Sequence, residues 1–373
     1  MHLWKSLTTR GLVARILAIA SVLGGQRAVQ AADQWIEVKS AHFTVTSNAG
    51  ERRTRTLVWQ LEQVRSATSM IWAWAKPDLN KPLAIVVVKD ENSMRALAPQ
   101  YWEDRKAIRP ASVWSSGPDQ HYLVLRSDVE IEQQGTINPY FSSYASYLNL
   151  VLAQSFEGAL PLWFEHGFAG VLANTIVQES SVLVGPPVPW YLETLRERPL
   201  LPIARLLATP GNSPDVTEAD RRMVFDAQTW ALVHFLMFGE QGKRTEQLNV
   251  YSKLVTGGRE PIAAFTEAFG AMAPLESAFR LYVERPVFSF QKFKIDASVE
   301  REKFPSRPLP VAEAAAARAL VLASMRRPVE ARAAIAEAQK ADAAAAGSYV
   351  AQGLLLDQER KPEEAKAAFA KAA

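Results

Sequence analysis

Residues 144–171 read YASYLNLVLAQSFEGALPLWFEHGFAGV, and this stretch decides the fold. Leu148, Val151, Leu152 and Phe156 recur at three- and four-residue intervals, the spacing of one helix face. Glu157-Gly158 reads as a turn, and a second helix is expected from Pro161. Proline suits a first helical turn, where its missing N–H has no intrahelical partner to lose. The sequence therefore predicts two consecutive helices joined by a short turn, with Trp163 and Phe168 on the second.

Toward the N-terminus, Trp35–Ser47 alternates apolar and polar residues and reads as two short strands broken near Ser40-Ala41. A helix is expected over Glu51–Trp74, with Leu57, Leu61, Val64 and Ile71 on one side and Pro77 beyond it. Pro82–Val88 is a continuous apolar run that suits a central strand. Asn92–Leu97 reads as a short helix, and Ala111–Trp114 and Tyr122–Arg126 as strands turned by Ser115–Pro118. Toward the C-terminus, Ser180–Val184 reads as a strand and Gly185–Pro189 as a break. Helices are expected over Trp190–Leu207, Phe225–Gly239, Ile262–Phe269 and Leu275–Glu284. The fold class that follows is α+β: a mixed sheet, a helix pair and a helical subdomain over 33–295, with an all-α tail.

This pattern resembles the peptidase MA-like zincin families of the gluzincin type, which carry C-terminal tetratricopeptide repeats. Their helix pair bears H-E-Y-x-H and then W-x-x-E-G-[FL]-A-E. Tyr147, Gln154, Phe156, Ala159, Pro161, Trp163, Gly167, Phe168 and Ala169 fit that pattern without a gap. Trp35–Val45 is similar to the families' opening W-x-x-V-x-S-x-H-F-x-V, and Trp230, Leu232, His234 and Leu236 to their later W-A-L-V-H-Y-L helix. The resemblance implies a zincin-like domain. It also implies that the metal site is degenerate, because the two histidine positions hold Ala145 and Asn149, the general-base position holds Ser146, and the third ligand position holds His166. In the family motif, histidines four apart share a helix face and reach one metal, while the glutamate takes the proton of metal-bound water. Alanine cannot ligate, asparagine ligates poorly, and serine is no base.

The implied function is a pseudo-peptidase with no catalytic residue, no metal and no cofactor. It would bind a peptide or protein partner through the old cleft, lined by Trp163, Glu165 and His234, or through the tail helices. Two alternatives stand beside it. One is an active hydrolase rebuilt around Glu165 and His166, and the other a structural envelope scaffold. Glu165 and His166 are adjacent and point about 100° apart on a helix, which disfavours a shared ion. Ser146 and Asn149 are expected to hydrogen-bond His166 across the helix pair. An unrelated helical hairpin, with Trp163 and Phe168 merely in its core, also fits the spacing. Of the other histidines, His42 reads as a strand-edge residue and His234 as a helix-core residue, both structural.

Residues 1–31 read as a secretory signal peptide. Lys5, Arg10 and Arg15 precede the apolar run Ile16–Gly25, and Val29-Gln30-Ala31 has the small-x-small form of a cleavage site. Ten apolar residues are too few to span a bilayer. The expected address is the periplasm or the exterior, with no integral membrane segment after cleavage; an uncleaved anchor is the alternative. The 373-residue chain has 42 Lys plus Arg and 39 Asp plus Glu, and removing the signal leaves 38 against 39. That balance gives no reason to expect a nucleic-acid partner. With no cysteine, disulfide and thiol chemistry are excluded.

Residues 296–310 hold three prolines and read as a linker. Beyond it, over 311–373, Arg327–Arg332 (RPVEAR) recurs as Lys361–Lys366 (KPEEAK), 34 residues on. Leu320 matches Leu354, and Ala334 matches Ala368. Fewer than three such repeats do not stand alone, so the tail is expected to pack on the main body. An alanine-rich coiled helix is the alternative for this segment.

Overall fold

The apolar run at residues 83–88 lacks alternation, and such a strand needs cover on both faces. The computed structural model, which describes residues 33–72, 74–103, 109–129, 137–156 and 160–373, gives it that cover. The segment expected to be a signal peptide and the turn expected at Glu157-Gly158 lie outside the described residues.

The strands are β1 (Ile36–Lys39), β2 (Thr44–Ser47), β3 (Leu83–Val88), β4 (Ser112–Ser116), β5 (His121–Arg126), β6 (Ile176–Val177), β7 (Ser181–Val184), β8 (Gln291–Lys294) and β9 (Ser306–Pro308). The helices before the tail are α1 (Glu51–Ile71), α2 (Glu91–Leu97), α3 (Phe141–Ser155), α4 (Leu162–Ala173), α5 (Pro189–Glu197), α6 (Ile203–Ala208), α7 (Pro214–Thr217), α8 (Ala219–Phe238), α9 (Thr245–Thr256), α10 (Pro261–Phe269) and α11 (Met272–Val283). The tail adds α12 (Val311–Ser324), α13 (Pro328–Ala341), α14 (Ala346–Gln358) and α15 (Pro362–Ala372).

Six strands form one mixed sheet in the order β4-β5-β3-β2-β1-β9, with β2, β3 and β5 parallel. Side chains alternate across it. Ile85, Val87, Leu123 and Leu125 join the larger core with Leu57, Val58 and Leu61 of α1. Val86, Val88, Tyr122 and Val124 face the other way and pack with Ala319, Leu322 and Leu354 of the tail. The tail thus supplies the second cover that the β3 run demands, and Trp35–Ala373 is one compact unit. A smaller antiparallel sheet, β6-β7-β8, lies apart from the first in hydrogen bonding.

The segment expected to be a linker over 296–310 carries regular structure. Arg301–Lys303 is a short 3-10 turn, and Ser306–Pro308 pairs with β1 through Val38–Ser306 and Ile36–Pro308. Proline is tolerated there because β9 is the sheet edge, where a missing N–H breaks no ladder. Arg307 clamps it, bonding Glu37 at 2.9 Å and Glu313 of α12 at 2.7 Å. The helix expected over 190–207 is two helices, α5 and α6. Pro199 drives Arg198 into an extended conformation with ψ 144° and ends the first.

The tail is two helix–turn–helix units of like geometry. Arg326 and Arg360, 34 residues apart, both take left-handed φ, 57° and 60°. At both turns the next N–H reaches back five residues, Arg327 to the carbonyl of Leu322 and Lys361 to that of Leu356, each at 2.9 Å. Gly353 lets the second pair close up, since a Cβ there would stand 2.4 Å from the Phe369 ring. Among the described residues no helix is long and apolar enough to cross a membrane.

Candidate functional site

α4 is apolar on nearly every side, and it is buried accordingly between α3 and α8. Its crossing with α8 is set by Gly167. A Cβ at that position would lie 2.5 Å from the Thr229 carbonyl oxygen and 2.5 Å from the Val233 side chain, so only glycine admits this approach. The contact brings the neighbouring His166 against Asp226, about one turn before Thr229. His166 Nδ1 lies 2.7 Å from Asp226 Oδ1, and both side chains are about four-fifths covered. Arg222 stands 3.5 Å from the other Asp226 oxygen. A carboxylate can only accept, so Nδ1 carries the proton and Nε2 is left as the nitrogen available to a substrate, a proton or a metal.

Ser146 and Asn149 do not hydrogen-bond His166 as expected. Ser146 is half-buried and donates to the Ser142 carbonyl of its own helix at 3.1 Å. Asn149 is exposed, and Ala145 packs at the edge of the main core. The polar clamp expected from Ser146 and Asn149 is thus replaced by Asp226. Glu165 is half-buried; burial pushes its carboxyl up from its ordinary value, and the adjacent His166 draws it back. Among the described residues no three His, Asp or Glu side chains converge as a metal-binding group.

Two of the cleft residues expected from the sequence are core residues. Trp163 is fully buried, with its indole N–H donating to the Tyr251 hydroxyl at 3.0 Å and its ring packed on Phe164 and Phe265. A residue so enclosed cannot line an open cleft. His234 is also fully buried. Its Nε2 donates to the Gly185 carbonyl at 2.8 Å, so its Nδ1 accepts from the Tyr282 hydroxyl at 2.7 Å. Both nitrogens are used in joining α8 to the end of β7 and to α11, which leaves none for a ligand.

Asp226 escaped the reading of the sequence, although an acid inside the apolar run FDAQTWALVHF was a visible signal. Acids on a buried helix face need a partner, and the histidine that answers this one lies 60 residues away. The chain matches no protein-family model and no curated protein.

Proposed function

We propose that this chain is an exported, catalytically inactive relative of the zinc peptidases, which holds a peptide or protein segment at the helix pair or on the tail helices. The observation that carries this reading is the state of the four positions that would hold zinc and its base. Ala145 has no ligand atom, Ser146 is turned onto its own helix, Asn149 is exposed, and His166 commits Nδ1 to Asp226. A catalytic zinc needs three protein ligands and a water, and these positions offer one imidazole nitrogen.

Metal content after dialysis tests it, in the wild type and in a restored variant. Ala145→His, Ser146→Glu, Asn149→His and His166→Glu together should recreate the ligand set. A glutamate at 166 would face Asp226 as a like charge, so Asp226→Asn belongs in the same variant. The wild type is expected to hold no stoichiometric zinc and the fivefold variant to hold one ion. Stoichiometric zinc in the wild type defeats the reading, and a folded fivefold variant without zinc defeats the helix-pair alignment behind it.

The His166–Asp226 pair favours a second reading, a hydrolase in which a carboxylate-oriented imidazole serves as base beside Glu165. It predicts hydrolysis of an unfolded protein substrate that His166→Ala abolishes. Absence of that activity in the wild type leaves the binding reading.

A further inference from the structure

The tail covers only part of its side of the sheet. Over β2 and the start of β3 the outward side chains are short, Thr44, Thr46 and Ala84. Between them and Ala317 and Leu320 of α12 lies a slot of about 450 Å³. That volume is within the range of small-molecule sites, about 300–1,000 Å³. No Asp, Glu, Lys or Arg lines it. Tyr122, whose hydroxyl accepts from Gln120 at 2.7 Å, is kept neutral by burial, which pushes its pKa up to about 12.

His42 also lines this slot, and a buried carboxylate holds it there. Glu62 of α1 has a side chain only 3% exposed, and both its oxygens serve this one residue. Oε1 accepts from the His42 backbone N–H at 3.0 Å and Oε2 from ring Nδ1 at 2.8 Å. Burying a carboxylate costs several kcal/mol unless it is hydrogen-bonded. Here the burial fixes the ring plane and keeps a proton on Nδ1 of a histidine whose side chain remains 35% exposed. The nitrogen left to a ligand is Nε2. As the acceptor end of this Nδ1–H tautomer, Nε2 suits a hydrogen-bond donor, and with no Lys or Arg lining the slot an anion would go unpaired.

We propose that this slot, with His42 in its wall, is a binding site for a small uncharged molecule that carries an O–H or N–H donor beside an apolar body. The donor goes to His42 Nε2, and the apolar body lies across Thr46 and Ala84 against Leu320. The site needs both the sheet and the first tail helix. It is separate from the helix pair, so the failure of one reading leaves the other standing.

Three probes of one shape test it on the purified full chain: benzyl alcohol, toluene and benzoate. The readout is the imidazole Cε1–H proton resonance of His42, assigned by its loss in His42→Gln. Benzyl alcohol is expected to shift that resonance saturably. Toluene, without the donor, should bind about tenfold more weakly, the worth of one hydrogen bond, and benzoate more weakly again. By saturation transfer, His42→Gln should bring benzyl alcohol down to the level of toluene. Thr44→Phe, which fills the slot from an exposed position, should abolish saturation. If that variant does not fold, Ala317→Leu fills the slot from the helix side. Equal affinity for all three probes, a saturable shift that persists in the filled variant, or no saturable shift with benzyl alcohol would each overturn the proposal.

Discussion

His234 should make the fold acid-labile by a defined amount. The imidazole is fully buried between α8, α11 and the end of β7. Burial drives its pKa down from 6.5 to about 4, against a smaller upward pull from the Gly185 carbonyl. Between those two values the unfolded chain binds a proton that the folded chain refuses. Stability from this residue is therefore complete above pH 6.5 and is lost as pH falls toward 4. A difference of about 2.5 pH units at 1.36 kcal/mol each amounts to about 3 kcal/mol, a sizeable share of a typical folding free energy. Urea unfolding at steps from pH 7 to pH 4 measures it, with His234→Gln as the reference. Glutamine keeps one donor and one acceptor but does not titrate. The variant will be less stable by some constant amount, and only the difference in slope matters. The wild type should lose about 3 kcal/mol more than the variant over the window. Parallel curves would refute the argument, because they would mean that His234 is either protonated in the fold or open to water.

Gly167→Ala should destabilise the chain by about 2–3 kcal/mol in denaturant unfolding, since its Cβ would meet the Thr229 backbone oxygen and force α4 from α8; an unchanged midpoint would show that the helices can separate cheaply. The same variant should weaken the His166–Asp226 pair, read as an altered His166 ring resonance. Arg360→Gly should stabilise by up to about 1 kcal/mol, because glycine removes the left-handed backbone penalty at φ 60°, whereas Arg360→Val should destabilise. Truncation after Pro310 should lower stability and expose a dye-binding apolar face, because Val86, Val88 and Val124 lose their cover; a truncated chain that melts like the parent would mean that the tail contributes nothing to the body.

Much of the fold was legible because the signals were local. The break at Ser40-Ala41, the run at 83–88 and the apolar helix at 225–238 each follow from periodicity and turn chemistry within a few residues. The repeat offset was legible too, and its two turns share one backbone geometry. Helix α9 went unread although Leu248, Tyr251, Ser252 and Val255 mark a buried face. Its apolar stripe is thin and mixed with polar residues. β8 and β9 could not be read at all. Gln291–Lys294 is mostly polar and Ser306–Pro308 ends in proline, and each is a strand only because an edge with unpaired backbone groups lies beside it.

Chemistry divided in the same way. Sequence alone determined which side chains the helix pair offers, because the identity of residues four apart on one helix face needs no partner to be known. Ala145, Ser146 and Asn149 would be poor ligands in any packing. Only tertiary structure decided which acids His42 and His166 meet. Asp226 reaches His166 across 60 residues and Glu62 reaches His42 across 20, both through helix placements that depend on the whole core. It also decided that Trp163 and His234 are interior, since burial belongs to the assembled layers rather than to any residue or motif. Hydrogen bonds between distant side chains form only after packing has fixed the elements that carry them, which is why those pairs left no pattern along the chain.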